Sequence, residues 1–381
     1  MHKFVCEKNS CTGCRACADS CARNAIRIED HPERIYAVID EAKCVDCGLC
    51  RAVCPNHHPV KTMESIAWNQ GWCVSDEGRQ KSSSGGAAAA LAEAVIREEG
   101  LAAGCLFSEG QFAFKLAETM EELEAFRGSK YVKSNPEGIY KAVQQKLKQG
   151  RTVLFTGLPC QVAGLKNFVG PKLAENLVTV DLICHGTPSP VMLSSFLKQH
   201  GKDLGSVSKI KFRRGVDFRL YIDGAAIVHP RVQDLYTLSF LKSINYTENC
   251  YRCPYAKPDR AGDITLGDSW GSGLPETEQR KGVSLILCQS EKGMEWVRKA
   301  ALHLEPVDME EARKHNHQLN HPSAKPEKRA AFLKAVQSGG NYAWAVARAY
   351  PKECAKLAAK AVIVKTMDVL KPKRNNSQIV R

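Results

Sequence analysis

Long hydrophobic runs are missing from this sequence of 381 residues. No stretch approaches the roughly 18 consecutive apolar residues that a membrane-spanning helix requires. The best candidate, residues 86–96, is short and contains Glu93. The first residues also lack the apolar core of an export signal. These absences argue against a membrane span and predict a cytoplasmic protein.

Two common ligand-binding motifs are missing as well. The chain has no Gly-x-Gly-x-x-Gly fingerprint, which argues against a Rossmann dinucleotide site. It also has no recognisable nucleic-acid-binding motif, although its net charge is +13. Residues 352–381 contain eight Lys or Arg against two acidic residues. This basic tail either attracts an acidic redox partner or a polyanionic cofactor, or it is simply a solvated helix.

Cysteine, by contrast, is abundant, with 17 residues. In a long chain without an export signal, metal ligation is a better interpretation than a disulfide framework. Eight of these cysteines form a repeat, because the spacing Cys-x2-Cys-x2-Cys-x3-Cys occurs twice, 33 residues apart. The first run is Cys11, Cys14, Cys17 and Cys21, and the second is Cys44, Cys47, Cys50 and Cys54.

This spacing predicts two [4Fe–4S] clusters in a bacterial-type ferredoxin domain. The first three cysteines of a run surround three corners of one cubane, and the fourth reaches the other cubane. Zinc, which binds separated pairs of ligands, is the alternative. Cys6 and Cys73 lie outside the pattern and are interpreted as ordinary thiols. The crossed ligand sets are Cys11, Cys14, Cys17 and Cys54, and Cys21, Cys44, Cys47 and Cys50.

The rest of the chain predicts a mixed fold of the α+β or α/β class. After the cysteine-rich part, predicted helices and strands alternate, which favours an α/β domain with a partly mixed sheet. Two amphipathic runs near the C-terminus, residues 327–336 and 342–350, predict helices. Four parts are predicted: a ferredoxin domain (1–60) with a short hairpin, a polar connector (61–82), the larger α/β domain (83–300) and a helical C-terminal region with a basic tail (301–381).

Four further cysteines stand in unusual positions in the larger domain. Cys160 lies between a predicted strand and a helix, and Cys184 ends a predicted strand. Cys250 and Cys253 form a Cys-x-x-Cys pair that could lie across the ends of those strands. These four cysteines are either the ligands of a third [4Fe–4S] cluster, or a redox or zinc pair with two unrelated buried thiols.

Several small polar residues could contact a phosphate. Ser83-Ser84-Gly85-Gly86 opens a predicted helix, where free backbone N–H groups suit a pyrophosphate, but from the residues alone a flexible linker is the favoured interpretation. Gly128-Ser129-Lys130 offers a second contact, and Thr156-Gly157 ends a strand where ligands of α/β proteins collect. Lys130 and His185 are candidates for orienting a substrate.

In combination, these segments resemble the coenzyme F420 hydrogenase/dehydrogenase beta subunit family fused to a ferredoxin domain. The resemblance covers about residues 1–300. The matching segments are Ser82-Ser83-Ser84-Gly85-Gly86, Gly128-Ser129-Lys130-Tyr131-Val132, Thr156-Gly157-Leu158-Pro159-Cys160-Gln161, Asp181-Leu182-Ile183-Cys184-His185-Gly186, Cys250-Tyr251-Arg252-Cys253-Pro254-Tyr255 and Gly262-Asp263-Ile264-Thr265-Leu266-Gly267-Asp268.

The resemblance implies a flavoprotein that binds FAD beside a [4Fe–4S] cluster. It therefore favours the third-cluster interpretation of Cys160, Cys184, Cys250 and Cys253. It also implies FAD contacts at Ser83, Ser84, Gly85, Gly86, Gly128, Ser129, Lys130, Tyr131, Thr156, Gly157, Pro159 and Gln161.

The expected function is that of an FAD-dependent iron–sulfur oxidoreductase. It would pass electrons between a hydride donor or acceptor, such as the deazaflavin coenzyme, and a redox protein partner. That partner could be a ferredoxin-like protein or a hydrogenase or dehydrogenase subunit. Two alternatives remain open: a non-catalytic electron-relay subunit of a larger complex, and a reductase of a cell-envelope or pigment-like substrate.

Overall fold

The computed structural model describes residues 3–339 and 341–370. None of the helices in these ranges has the length and hydropathy of a membrane-spanning segment. The helices are, in chain order, α1 (Ala16–Ser20), α2 (Leu49–Ala52), α3 (Asp76–Lys81), α4 (Ala87–Arg97), α5 (Met120–Leu123), α6 (Ile139–Lys148), α7 (Pro159–Val169), α8 (Pro190–Lys198), α9 (Leu235–Leu241), α10 (Glu276–Lys281), α11 (Glu291–Lys299), α12 (Met309–His315), α13 (Arg329–Gln337), α14 (Tyr342–Ala349) and α15 (Pro351–Leu370).

The cysteine-rich N-terminal part is built on the hairpin that the sequence predicts. Strands β1 (Ile26–His31) and β2 (Arg34–Ile39) pair antiparallel along their whole length. Helices α1 and α2 each begin one residue before the third cysteine of a run, and a left-handed residue, Arg15 or Gly48, precedes each helix. The repeat in the sequence is therefore also a repeat in the structure.

An eight-stranded mixed sheet follows, as the α/β pattern predicts. Four consecutive strands inside it are parallel, and the other four strands are antiparallel to their neighbours. Helices α4 and α11 cover one face, and α6 and α7 cover the other, which buries the parallel strands on both sides. In spatial order the strands are β13 (Leu302–Pro306), β3 (Ala67–Cys73), β12 (Ser284–Cys288), β11 (Ile264–Asp268), β7 (Leu177–Leu182), β6 (Val153–Gly157), β4 (Leu101–Ser108) and β5 (Gln111–Ala117).

The segment 61–82, expected as a polar connector, contributes strand β3 to this sheet. The sequence does not predict this strand, because polar residues occupy its centre. Gln70 can nevertheless be buried there, since its side chain is fully hydrogen-bonded. The Gln70 side chain accepts a hydrogen bond from Ser269 Oγ at 2.8 Å and donates to the carbonyls of Ser272 and Pro306. The neighbouring Gly71 lets the backbone of β13 approach, since a Cβ there would lie 2.0 Å from the carbonyl oxygen of His303.

A second layer is formed by the small antiparallel sheet and the C-terminal helices. Strands β8 (Ile210–Arg214) and β9 (Asp217–Ile222) share an apolar core with α8, α9, α13 and α14, and β10 (Ala225–Ala226) pairs with β9 at the edge of this sheet. Helices α13 and α14 are the two amphipathic helices that the sequence predicts. The basic tail continues as α15 as far as Leu370, and its remaining residues lie outside the described ranges.

Candidate functional site

The first cysteine group comprises Cys11, Cys14, Cys17 and Cys54, one of the two crossed sets predicted from the spacing. All four side chains line one cavity between the first cysteine loop and the hairpin. Gly13 has a left-handed φ of 63°, and a Cβ at this position would lie 3.0 Å from Ile35 Cγ2. The loop can therefore turn tightly at this point, which directs its thiols into the cavity.

The second cysteine group comprises Cys21, Cys44, Cys47 and Cys50. Burial raises the pKa of Cys50, and the nearby thiols of Cys21, Cys44 and Cys47 raise it further. The four thiols are therefore neighbours. The backbone N–H of Ala25 donates to Cys21 Sγ at 3.3 Å. The group lies nearer to solvent than the first one: Cys47 is exposed, whereas Cys14 and Cys17 are buried.

Cys6, interpreted from the sequence as an ordinary thiol, lines the same cavity as the first group. It receives a hydrogen bond from Asn56 Nδ2 at 3.5 Å. Hydrogen bonds with Cys6 lower the pKa of Cys11 to about 7 and that of Cys54 to about 6. Cys73, in contrast, donates to the carbonyl of Ser75 and lies in the core of the sheet.

The third cysteine group brings together Cys160, Cys184, Cys250 and Cys253. Cys160 lies in the first turn of α7, and Cys184 follows β7 at the carboxyl edge of the parallel strands. Burial, and then the thiols of Cys250, Cys160 and Cys253, raise the pKa of Cys184 above its ordinary value. The four cysteines that are scattered in the sequence thus form one group in the structure.

Hydrogen-bond donors surround this third group. The Thr187 backbone N–H donates to Cys250 Sγ at 3.4 Å, and Thr247 Oγ1 lies 3.3 Å from the same sulfur. Lys133 Nζ donates to Cys160 Sγ at 3.3 Å, and the Lys133 side chain is buried. Burial alone would lower the pKa of Lys133, but the thiols of Cys160, Cys250 and Cys184 raise it above its ordinary value. No sequence motif singled out Lys133.

The donor chemistry of each group fits a cubane. The sulfurs of thiolates that bind a single zinc ion all lie about 2.3 Å from that ion. A [4Fe–4S] cubane offers a separate iron to each thiolate, so its ligands lie around a larger body. The first group, whose four thiols line one cavity, suits this second arrangement.

Helix α7 brings the first and third groups close together. Cys160 and Gly164 lie one turn apart on this helix, so both occupy the same face. A Cβ at Gly164 would lie 3.1 Å from Cys14 Sγ. The Tyr140 hydroxyl donates to the carbonyl of Cys14 at 2.8 Å, and it lies 3.3 Å from the carbonyl of Gln161. The N-terminal domain therefore contacts the sheet domain at the point where the two cysteine groups face each other.

The residues predicted to contact a flavin phosphate meet at the start of α4. Ser83 Oγ accepts a hydrogen bond from the backbone N–H of Ser129 at 2.7 Å, which joins two of the predicted segments. Gly86 precedes α4 in a left-handed conformation, and no side chain caps the helix. A Cβ at Gly128 would meet no atom within 4 Å, so the backbone is open there. Ser84 Oγ donates to the carbonyl of Val283, next to the buried Gly85.

The other predicted flavin residues lie at the third cysteine group. Thr156, Gly157 and Pro159 lead from β6 into α7, directly before Cys160. Gln161 is fully buried and uses its amide within the fold, donating to Ser134 Oγ at 3.1 Å. The ring of Tyr131 stacks on Phe240 with centroids 4.5 Å apart. The Gln161 amide and most of the Tyr131 ring are therefore already in contact with other residues of the protein.

The two candidates for orienting a substrate differ in their surroundings. Lys130 Nζ donates to the carbonyls of Phe126 and Arg127 at 2.7 and 3.2 Å, so its ammonium group is used inside the fold. His185, next to Cys184, has Nδ1 2.7 Å from the amide nitrogen of Gln318. Burial lowers the pKa of His185 to about 4, which keeps the ring neutral at pH 7.

Sequence reasoning missed the partners of His185. The Gln318 amide nitrogen also lies 2.8 Å from His317 Nε2, and His317 stacks on His321. Ser323 Oγ donates to the carbonyl of His185 at 2.7 Å. The histidine-rich segment 315–321 was the one signal in the sequence that could have indicated them.

Comparison with known proteins identifies relatives of both parts of the chain. Residues 10–57 match the family model of the 4Fe-4S dicluster domain. Over 53 residues, or 14% of this chain, the sequence is 43% identical to the B subunit of an ion-translocating oxidoreductase complex from Methanosarcina acetivorans. The match covers 18% of that relative, so the chain corresponds to less than a fifth of its length.

Two further matches cover longer parts of the chain. A chain from a solved structure of the F420-reducing [NiFe] hydrogenase complex of Methanosarcina barkeri aligns with a TM-score of 0.48 and 21% identity, over 68% of this chain and 90% of that one. Residues 150–311 match the family model for the C terminus of the coenzyme F420 hydrogenase/dehydrogenase beta subunit. This range includes all four cysteines of the third group. The two family models confirm the resemblance for these segments: residues 150–311 match the C terminus of the coenzyme F420 hydrogenase/dehydrogenase beta subunit, and residues 10–57 match the 4Fe–4S dicluster domain.

Proposed function

We propose that this redox protein is an FAD-dependent iron–sulfur oxidoreductase that exchanges electrons between a small hydride donor or acceptor and a redox protein partner. The observation that carries the proposal is the meeting of the first and third cysteine groups across α7. A redox centre held by the third group would therefore have a direct neighbour in the ferredoxin domain.

Each cofactor has a set of residues that would hold it. Two [4Fe–4S] clusters would use the crossed N-terminal sets, and a third would use Cys160, Cys184, Cys250 and Cys253. The uncapped start of α4 and the open backbone at Gly128 would hold the FAD pyrophosphate. When bound, a flavin exchanges electron pairs as hydride and single electrons with iron–sulfur clusters, which supplies the redox chemistry.

The segment between Ser129 and Lys133 supports a flavin beside the third group. Ser129 is hydrogen-bonded at the start of α4, and Lys133 reaches Cys160. Four residues of extended chain span at most about 14 Å, so the backbones of Ser129 and Lys133 lie within that distance of each other, and the Lys133 side chain covers the remaining distance to Cys160. Thr156 and Pro159, two other predicted flavin contacts, lie where β6 ends and α7 begins, next to Cys160 of the third group.

The second cysteine group is the side that would face a protein partner. Val45 and Leu49, which flank the exposed Cys47, are 62% and 52% exposed. Exposed apolar side chains next to a redox centre are typical of a contact surface. The first group, in contrast, is enclosed between the hairpin and α7.

Anaerobic purification with iron, sulfide and flavin analysis tests the proposal. Three cubanes correspond to about twelve irons per chain, and acid extraction should release close to one FAD. Cys160→Ala should lower the iron content to about eight and leave the N-terminal clusters in place. Cys354→Ala, which changes a thiol of α15, is the matched control and should retain all the iron.

Two outcomes would contradict the proposal. A wild-type protein with about eight irons would rule out the third cluster, and a protein that neither contains nor takes up FAD would rule out the flavin. Direct reduction of the bound flavin by a reduced deazaflavin or nicotinamide should also be seen in anaerobic spectra. If only a reduced protein partner reduces the flavin, the chain is instead an electron-relay subunit.

A further inference from the structure

Lys133 lies at the junction of the first and third cysteine groups. Its side chain is 4% exposed. Nζ donates to Cys160 Sγ at 3.3 Å. On the other side, a Cβ at Gly13 would lie 3.6 Å from Lys133 Cε. The lysine therefore extends from the loop of the first group to a sulfur of the third.

This ammonium group has no carboxylate counter-charge in the described ranges, since Cys160 Sγ is the one acceptor that its Nζ contacts there. A buried ammonium group is strongly unfavourable unless a negative charge lies beside it. The thiols around it supply that charge only as thiolates, which is the form that binds iron. The site is therefore built for a negatively charged cysteine group.

Several groups donate hydrogen bonds to cysteine sulfurs in the described ranges, and the Lys133 ammonium group is the one donor among them that carries a charge. Cys250 receives its hydrogen bonds from neutral groups of Thr187 and Asn249. In the second group, Cys21 and Cys44 accept from backbone N–H groups. Hydrogen bonds and net charge near the sulfurs set the reduction potential of a cluster, and a charged donor acts more strongly than a neutral one.

We propose that Lys133 is a positioning residue whose fixed positive charge raises the reduction potential of a cluster held by the third group. The inference rests on the proposed function. Reduction adds one electron and makes or breaks no bond, and Lys133 keeps its proton throughout. Its charge favours the more negative, reduced form. Its place beside Gly13 puts this charge where an electron would pass to the Cys14 group.

Three variants of the full-length protein separate charge from hydrogen bonding. Lys133→Met removes both, Lys133→Gln keeps a neutral donor, and Lys133→Arg keeps the charge. Each is purified anaerobically and titrated with dithionite and redox mediators, with the reduced clusters followed by EPR. At the wild-type midpoint potential of the third cluster, the ratio of reduced to oxidised cluster should fall at least tenfold in the Met and Gln variants. That ratio corresponds to a decrease of about 59 mV for one electron.

The remaining outcomes decide the proposal. The Arg variant should stay near the wild-type potential, and the second-group cluster should be unchanged in all three variants. Loss of the third cluster in both neutral variants, with retention in Arg, supports the same charge requirement. An unchanged potential in Lys133→Met, a wild-type potential in Lys133→Gln, or cluster loss in all three variants would overturn the proposal. If wild-type protein holds only about eight irons, the proposed function itself fails, and iron analysis shows this separately.

Discussion

Lys130 shows how a single buried charge can be recognised by its pH dependence. Its ammonium group donates to the carbonyls of Phe126 and Arg127, and burial lowers its pKa to about 8. Between pH 8 and the ordinary pKa of lysine near 10.4, the unfolded chain binds more protons at this residue than the folded one. The free energy of unfolding therefore receives a contribution from Lys130 that increases with pH in this range.

Lys130→Met should remove that contribution. Urea unfolding of the two proteins under anaerobic conditions at pH 8 and pH 10 measures it. The wild type should gain stability relative to the variant between the two pH values, because only the wild type loses the penalty of a buried ammonium group. A stability difference that stays constant, or decreases, would show that Lys130 remains protonated in the folded protein.

Cys6 offers a second test at the residue scale. Cys6→Ala should leave the cluster of the first group intact, because the predicted ligand set of Cys11, Cys14, Cys17 and Cys54 is complete without it. Cys54→Ala should instead lose this cluster or leave a three-iron remnant. Iron analysis and EPR of the full-length proteins measure both results. Loss of iron in Cys6→Ala equal to that in Cys54→Ala would show that Cys6 is a ligand.

The same substitution should affect cluster assembly. Hydrogen bonds with Cys6 lower the pKa of Cys11 and Cys54, and the thiolate is the form that binds metal. Without Cys6, both pKa values should rise, and reconstitution of apoprotein at pH 7 should be slower than in the wild type. The difference should disappear at pH 9, where more of these thiols are ionised in either protein.

At the scale of elements, strand β3 depends on one buried polar side chain. Gln70 is 3% exposed and bridges Ser269, Ser272 and Pro306. Gln70→Ala leaves the buried Ser269 hydroxyl without its acceptor and the partly buried carbonyls of Ser272 and Pro306 without their donor, and an unpaired buried group costs about 1–3 kcal/mol. The variant should therefore lose about 2 kcal/mol or more in the free energy of unfolding. Gln80→Ala, on the exposed side of α3, is the control and should change it by less than about 0.5 kcal/mol.

At the scale of the whole molecule, the N-terminal domain is held by contacts at several points. The Asp19 carboxylate accepts hydrogen bonds from the backbone N–H groups of Gly138 and Tyr140 at 2.7 and 3.1 Å. Asp30 accepts from Ser189 Oγ, and Glu33 accepts from Gln337 at 2.6 Å. The first cysteine group is thus closed on one side by the sheet domain, whereas the second group is not.

An isolated fragment of residues 1–60 should therefore bind about eight irons, but its two clusters should differ in sensitivity to air. The cluster of the first group loses the cover that α7 provides, so it should decay faster in the fragment than in the full chain. The cluster of the second group, already near solvent, should decay at a similar rate in both. Time-resolved EPR during exposure to air measures the two rates. Stoichiometric zinc without sulfide would contradict the prediction.

The sequence by itself determined the arrangement of the N-terminal domain. The fixed local spacing of eight cysteines predicts the two crossed sets, and the cysteines of each set lie together in the structure. The hairpin follows from a local apolar pattern. The alternating strands and helices in the middle of the chain could also be predicted, because strands such as those around Val153 and Leu177 carry a local sequence signal.

Only the tertiary structure decided how these parts meet. The third group joins residues from three separate segments, and its grouping depends on which strands are neighbours in the sheet. Strand β3 was hidden because Gln70 satisfies its hydrogen bonds with residues about 200 positions away. Lys133 carried no signal, since an isolated lysine is usually exposed. Its role depends on burial and on the approach of Cys160 and Gly13, and such distances between remote residues arise from packing, which no local pattern encodes.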